Sequence, residues 1–352
     1  MITENIHLLP MSSPADYAIA TLGSHTALQI LKGAKDEGFK TICVCTKGTK
    51  EPYESFRVAD QILEVEKFSD FFSVEEELKK QNAVLIPHGS FVSYIGAKEV
   101  QKVSMMHFGT RSILAWESDR IKQREWLALA GLRQPEVLEK PEDIDRPVIV
   151  KFHGAMGGSG YFIANTPKEF YDHVRDYPME ERKYVLQEYI VGVPMYIHYF
   201  YSPLTDELEI MSFDKRYESN ADSIGRIAAR DQMDAHIKTS YTITGNMPLV
   251  IRESLLPQLF QMGRRVVETS RKLEGVGKRG IFGPFCLETI IDPQLNFFTF
   301  EISARIVAGT NPFVNGSPYT WLRYNEPMST GRRIAREVKH AIEDDRLEEI
   351  LG

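Results

Sequence analysis

Two apolar runs joined by a glycine-rich loop constrain this chain more than any other stretch: Val148-Ile149-Val150-Lys151-Phe152-His153-Gly154-Ala155-Met156-Gly157-Gly158-Ser159-Gly160-Tyr161-Phe162-Ile163-Ala164. β-Branched and aromatic residues on either side favour strands, and the glycines between them admit a reversal, so the stretch reads as a hairpin. The first strand carries Lys151, whose ammonium is a point charge suited to phosphate oxygens. Gly157, Gly158 and Gly160 allow backbone N–H groups to close on such oxygens without a side chain in the way. An ordinary tight hairpin fits the same residues, so the phosphate reading depends on what else the chain carries. The loop has no further basic residue; His153, Met156 and Ser159 stand there instead.

The first third alternates strand and helix patterns. Tyr17–Leu22 is strand-like and runs into Gly23-Ser24-His25, and a helical pattern through Ala27, Leu28, Leu31 and Ala34 stops near Gly38. Thr41–Thr46, the charged helix Glu75–Lys80 and the strand Ala83–Ile86 continue the alternation up to Pro87-His88-Gly89-Ser90. Alternation of this kind predicts a doubly wound parallel sheet with ligands at the carboxyl ends of its strands, where His25 and Ser90 fall. A solvated histidine and a capping serine are the plainer reading of the same two residues. Near Glu117–Arg120 the texture changes: a helix over Arg120–Ala130 ends at Gly131, and residues 137–213 are rich in strands. The chain closes on an amphipathic helix, Arg332–Glu343, with Ile334, Val338 and Ile342 on one stripe. The expected division is an α/β domain over 1–115 and a second region over 116–352, with 137–213 as a small subdomain.

At 352 residues the chain is long enough for two or three packed subdomains. A net charge of −7 argues against a nucleic-acid surface or an anionic membrane as partner. No stretch approaches the roughly 20 apolar residues of a spanning helix, which leaves the cytoplasm as the expected setting. Cys43 and Cys45 alternate along one strand and read as small buried hydrophobes, as does Cys286. The nine histidines show no zinc spacing.

Two further segments point to a nucleotide site. Val185-Leu186-Gln187-Glu188-Tyr189-Ile190 is a strand ending in a carboxylate and an extended segment, able to hold adenine through Glu188 or a nearby carbonyl and a backbone N–H. An ordinary strand and turn fits it too. Phe285-Cys286-Leu287-Glu288 and Phe298-Thr299-Phe300-Glu301-Ile302-Ser303-Ala304-Arg305 each place an acid after apolar residues. Two such carboxylates on adjacent strands repel unless a cation lies between them, and Mg²⁺ takes one or two carboxylates plus phosphate oxygens. Arg305 then lies near enough to hold a transferred phosphoryl group; a structural Glu–Arg pair is the alternative.

Arg120, Lys151, the Gly157–Gly160 loop, Glu188-Tyr189-Ile190, Glu288 and Glu301–Arg305 together resemble the ATP-grasp superfamily from about residue 115 onward, behind a pre-ATP-grasp α/β domain. Ser303 stands where most of that superfamily has Asn. The segments Ala20–Leu28, Pro87–Phe91, Asp214–Asn220, Thr242–Asn246 and Ile251–Gln258 are similar to the archaeal formate-dependent FAICAR synthetase family. That resemblance implies a ligase using ATP, formate and the ribonucleotide AICAR to make FAICAR, ADP and phosphate, as a homo-oligomer. It implies that His25, Ser90 and Asn246 contact AICAR, that Glu218 joins the ATP site, and that Glu288 and Glu301 bind Mg²⁺ or Mn²⁺. Lys151 and Arg305 become the catalytic cations, with Arg120 and Glu188–Ile190 beside ATP. Two alternatives remain: an ATP-grasp ligase for another amine and carboxylate, and a nucleotide-binding paralogue without turnover. On its own pattern, Asn246 in Gly245-Asn246-Met247-Pro248 reads as a turn residue and Glu218 as part of a surface charge run.

Overall fold

A computed structural model of the chain describes residues 13–152, 161–175, 184–218, 228, 230–231 and 243–352. Strands β1 (Ala18–Leu22), β2 (Lys40–Thr46), β3 (Gln61–Val65) and β4 (Ala83–Leu85) form a parallel sheet in the order β3-β2-β1-β4. Every residue of β1 is buried, as befits a central strand covered on both faces. Helices α1 (Ala27–Asp36), α2 (Glu51–Ser55) and α3 (Glu75–Lys80) lie in the crossovers. Because β1 is flanked by β2 on one side and β4 on the other, the chain reverses direction there. The loops after β1 and β4, with His25 and Ser90, therefore open side by side at the switch point. Cys43 and Cys45 are buried in a small cluster with Ala27, Leu31 and Tyr53, in agreement with their alternation.

Short helices α4 (Ala97–Val100) and α5 (Ile113–Glu117) lead to α6 (Arg120–Leu129). The Asp119 carboxylate caps α6 by accepting from the Ile121 and Lys122 N–H groups. Next, β5 (Val137–Leu138), β6 (Val148–Phe152), β7 (Tyr161–Ala164) and β8 (Tyr184–Glu188) form a small antiparallel sheet, ordered β5-β8-β6-β7. The hairpin forms as expected, with Lys151 opposite Tyr161, while Gly157, Gly158 and Gly160 lie outside the described residues. Helix α7 (Pro167–Arg175) covers this sheet, and Val148, Val150, Phe170 and Leu186 give it a core of its own.

Strands β9 (Val193–Ser202), β10 (Glu207–Glu218), β11 (Ile243–Leu249), β12 (Gly283–Ile291) and β13 (Phe297–Ser303) build a second antiparallel sheet, ordered β11-β10-β9-β12-β13. This corrects the expected span of 137–213 for the small unit. β9 and β10 hydrogen-bond to β11 and β12, so the small sheet ends at Glu188. Asn246 is likewise a strand residue, on β11 opposite Arg216 of β10. Helices α8 (Leu256–Ser270), α9 (Pro318–Tyr324) and α10 (Thr330–Glu343) complete the described elements.

The parallel sheet and the five-stranded sheet do not have separate cores. Residues from Ile19 and Leu85 to Ile197, Phe285, Ile302 and Val338 belong to one buried cluster. Helix α10 crosses α1 so closely that a Cβ on Gly33 would collide with the Arg332 backbone, and one on Gly331 with that of Gln29. The Gln29 amide reaches from this crossing to Thr310 (2.7 Å) and Asn311 (2.8 Å). Asn311 in turn donates to the His25 carbonyl at 3.0 Å. The loop after β1 is thus tied to the segment that follows β13. No helix among the described residues is long and apolar enough to cross a membrane.

Candidate active site at the seam of two sheets

Side chains alternate along a strand, so one face of the five-stranded sheet carries residues two apart in sequence. On β12, Cys286 and Glu288 lie opposite His198 and Tyr196 of β9, and opposite Ser303 and Glu301 of β13 on the other side. Asp214 and Arg216 of β10 and Asn246 of β11 extend the same face. The wall above it comes from His25, Arg305 and Val307 to Gly309. Together they enclose a cavity of about 190 Å³.

The acid pair is as expected in register, with Glu288 directly opposite Glu301, but the two differ in setting. Glu288 is buried, whereas Glu301 is exposed. Burial first, then the charge of Glu301, push the Glu288 carboxyl up to about 8; Arg216 opposes the shift. Arg216 donates to Glu288 Oε1 at 2.5 Å and stacks its guanidinium 4.3 Å from the Tyr196 ring centroid. Glu288 Oε2 is buried and has no hydrogen-bond partner. An orphaned carboxylate oxygen beside a second carboxylate fits a divalent cation. No group of three or more His, Cys, Asp or Glu side chains is placed for a metal among the described residues. A carboxylate pair alone suits Mg²⁺, whose remaining ligands come from phosphate and water.

Lys151 approaches from the small sheet. Its Nζ donates to Gln187 Oε1 at 3.2 Å and lies 5.8 Å from the Phe300 ring centroid. Burial lowers its pKa and Arg120 adds to this, while Glu301 and Glu288 act the other way. Arg120, at the start of α6, therefore belongs to the same electrostatic neighbourhood. Arg305 lines the cavity, and its guanidinium pairs with the buried Glu117 at 2.7 Å rather than with Glu301. Glu117 also accepts from the Ala304 N–H at 2.9 Å. The Glu–Arg pair considered from sequence, with an acid of the two strands, is replaced by one whose acid comes from α5, a partner that only the fold supplies.

His25 sits in the left-handed region (φ 55°) and its ring stacks on His88, centroids 5.4 Å apart and planes within 5°. His88 contacts the Leu22 carbonyl through Nε2 at 2.9 Å, and its Nδ1 accepts from the Ser90 N–H at 3.2 Å. Ser90 donates its hydroxyl to Ser24, the residue before His25, at 3.0 Å and does not line the cavity. Asn246 donates from Nδ2 to Asp214 Oδ2 at 2.7 Å, and Asp214 Oδ1 lies 2.7 Å from His198 Nε2.

The adenine segment is more engaged than expected. Glu188 donates its N–H to the Glu136 carbonyl and accepts the Glu136 N–H on Oε2 at 3.0 Å. Tyr189 donates its N–H to the Pro147 carbonyl. These bonds dock the end of β8 on the segments that lead into β5 and β6. Glu218 is partly buried at the end of β10, just past a shift of register between Tyr217 and Glu218.

His25, Asn246, Glu288, Glu301 and Arg305 converge in one cavity. Sequence reasoning missed Tyr196, His198, Asp214, Arg216 and Glu117. A signal was there for the first two, polar residues at period two within a long apolar strand in Tyr196-Ile197-His198; Asp214-Lys215-Arg216 is charged throughout and carries no such alternation.

Residues 176–352 match the family model described as "Domain of unknown function (DUF1297)", and residues 19–138 the one described as "Protein of unknown function (DUF1246)". The chain is 54% identical over 340 residues to the 5-formaminoimidazole-4-carboxamide-1-(beta)-D-ribofuranosyl 5'-monophosphate synthetase of Pyrococcus abyssi, covering 95% of this chain and 98% of the relative. Its structure superposes on the crystal structure of an IMP biosynthesis protein PurP from Thermococcus kodakaraensis with a TM-score of 0.74 and 33% identity, over 95% of this chain and 100% of that one. An ADP complex of purK, an N5-carboxyaminoimidazole ribonucleotide synthetase, gives a TM-score of 0.66 at 12% identity, over 94% and 78% of the two chains. That last likeness concerns the fold.

Proposed function

The chain belongs to the FAICAR synthetase (PurP) family, and from that membership we propose an ATP- and formate-dependent ligase that formylates AICAR to FAICAR, releasing ADP and phosphate on the route to IMP. One observation supports this reading above all. The acid pair Glu288 and Glu301, the cations Arg216, Arg305 and Lys151, and the ribonucleotide candidates His25 and Asn246 meet at a single seam.

In this reading a formate oxygen attacks the γ-phosphorus of ATP, ADP leaves, and the AICAR amine then attacks the formyl carbon and expels phosphate. Lys151 and Arg305 stabilise negative charge on the transferring phosphoryl group. Arg305 is suited to this because Glu117 holds its guanidinium in place before substrate arrives. A Mg²⁺ or Mn²⁺ ion held by Glu288 and Glu301 would supply further neutralisation of phosphate charge. Arg120, the loop with Gly157, Gly158 and Gly160, Glu188-Tyr189-Ile190 and Glu218 are the proposed surroundings of ATP. His25, Ser90 and Asn246 are the proposed AICAR contacts, with His25 and Ser90 at the switch point of the parallel sheet, where a ribonucleotide is expected. The proposed division sets residues 1–115 as the pre-ATP-grasp domain and 116–352 as the ATP-grasp region, working in the cytoplasm as a homo-oligomer.

The test is ADP release with ATP, formate and Mg²⁺, with and without AICAR, following the formylated product by mass. AICAR-dependent ADP with product 28 Da heavier than AICAR (roughly one carbonyl added, by the balance of the transfer) is the expected result. ATP binding without formylated product would overturn the ligase reading and favour a nucleotide-binding paralogue.

A further inference from the structure

Arg216 and Glu288 stand two strands apart in the five-stranded sheet, with β9 between β10 and β12. Neighbouring strands are about 4.8 Å apart, so an arginine on β10 has to lie across β9 to reach an acid on β12. Tyr196 of β9 supplies the surface for that crossing. It is opposite Glu288 in register, and the Arg216 guanidinium lies 4.3 Å from its ring centroid. The guanidinium then donates to Glu288 Oε1 at 2.5 Å. Stacking on an aromatic face and a charged bond to a carboxylate together hold the group in one place. Arg216 still opens on the cavity: 29% of its side chain is exposed, against 4% for Glu288. A guanidinium carries five N–H donors, so the same group can serve an acid and a phosphate at once.

A fixed cation changes what the acid pair can accept. As metal ligands, Glu288 and Glu301 carry two negative charges, which a divalent ion alone would cancel. With Arg216 on Glu288, the loaded pair is left with one unit of positive charge in a half-buried setting, where charge is poorly screened. Lys151 adds a positive charge to this neighbourhood and Asp214 at most one negative, so the excess is not removed. Arg305 is matched by Glu117. The missing counter-charge is that of phosphate oxygens, which also complete the ligand set of Mg²⁺.

We infer that Arg216 makes metal binding at the acid pair conditional on nucleotide: it repels a divalent ion that arrives alone and joins the ion in neutralising phosphate once a nucleotide is present. Tyr196 is the positioning residue that keeps the guanidinium across β9. The inference deepens the ligase reading above and rests on it for the nucleotide. A purely structural Arg–Glu pair gives a different expectation. Its removal would cost stability, but metal and nucleotide would still help each other as before.

The test titrates Mn²⁺ into the metal-free parent, Arg216→Met and Arg216→Gln, each with and without saturating ADP, reading free Mn²⁺ by its electron paramagnetic resonance signal. In the parent, ADP is expected to tighten Mn²⁺ binding by about tenfold or more, and Mn²⁺ to tighten ADP binding by the same factor. In Arg216→Met, Mn²⁺ alone should bind about tenfold more tightly than in the parent, and the help from ADP should fall by about as much. Arg216→Gln keeps an N–H donor for Glu288 and loses only the charge. It should repeat the result if Arg216→Met fails to fold. Parental binding of Mn²⁺ that ADP does not improve, or an ADP effect that survives in the folded variants, would overturn the inference and leave the ligase reading standing. A parent that binds no Mn²⁺ even with ADP would instead overturn the metal assignment of that reading, and this inference with it.

Discussion

Glu288 and Glu301 face each other across the β12–β13 pair, one buried and bonded to Arg216, the other exposed at the mouth of the cavity. Like charges directly opposite on neighbouring strands destabilise a sheet. Here the repulsion is left in place, and Glu288 keeps one oxygen unpaired. Arg216 reaches only one oxygen of Glu288, which leaves the other open to the cation proposed above.

Removing the exposed acid therefore separates catalysis from folding. Glu301→Ala is expected to reduce FAICAR turnover by about 10²-fold or more, the scale for loss of a group that anchors transition-state charge. Because Glu301 is exposed, the thermal midpoint without Mg²⁺ should stay close to the parent's. Mg²⁺-dependent stabilisation, followed by thermal melts over a Mg²⁺ titration in the presence of ADP, should disappear. Turnover within a few-fold of the parent would show that Glu301 holds no metal.

Arg305 and Glu117 are a buried pair, so a single substitution at Arg305 has two effects. Arg305→Ala leaves Glu117 buried without its partner, an expected loss of about 3–5 kcal/mol in urea unfolding, together with loss of turnover. Arg305→Met combined with Glu117→Gln removes both charges and keeps volume. That double variant should recover most of the stability and none of the activity, which distinguishes a catalytic guanidinium from a structural one.

Acid sensitivity follows from two histidines sealed in the fold. His88 and His107 are 0% and 1% exposed. Burial lowers the first to about 4 and the second to about 3, from an ordinary 6.5. Between roughly pH 6.5 and pH 4 the unfolded chain binds protons that the native protein does not, so stability rises with pH across that window and falls on acidification. Each histidine contributes a slope of about 1.4 kcal/mol per pH unit. His107→Gln, which lies outside the cavity, should reduce the pH dependence of urea stability between pH 7 and pH 5 by about one proton's worth. An unchanged slope would mean that His107 is protonated in the native state.

Much of the fold was legible along the chain. The order of β1, α1, β2, α3 and β4 follows from apolar runs punctuated by glycine and polar turns, because backbone hydrogen bonding and side-chain alternation act over a few residues. The hairpin around Lys151 and the opposed positions of Glu288 and Glu301 were legible for the same reason. Resemblance to a known family then supplied roles for His25, Ser90 and Asn246 that periodicity alone left open, as a solvated histidine, a cap and a turn residue. The boundary at residue 213 was misplaced because a strand pattern does not name its partner: β9 and β10 look the same in sequence whichever sheet they join.

What the sequence determined by itself was the local alphabet of the site: which strands exist, which way their polar residues face, and where phosphate-binding chemistry could reside. The tertiary structure alone decided how those pieces meet. Glu117 reaches Arg305 across 188 positions of chain, Asn246 reaches Asp214 from the adjacent strand, and His88 stacks on His25 because β1 and β4 are neighbours. Such contacts depend on strand order and on burial, which set both the distance between charges and the dielectric they feel. Neither quantity is carried by any single segment, so the buried His198–Asp214 pair emerged only when the sheet was assembled around it.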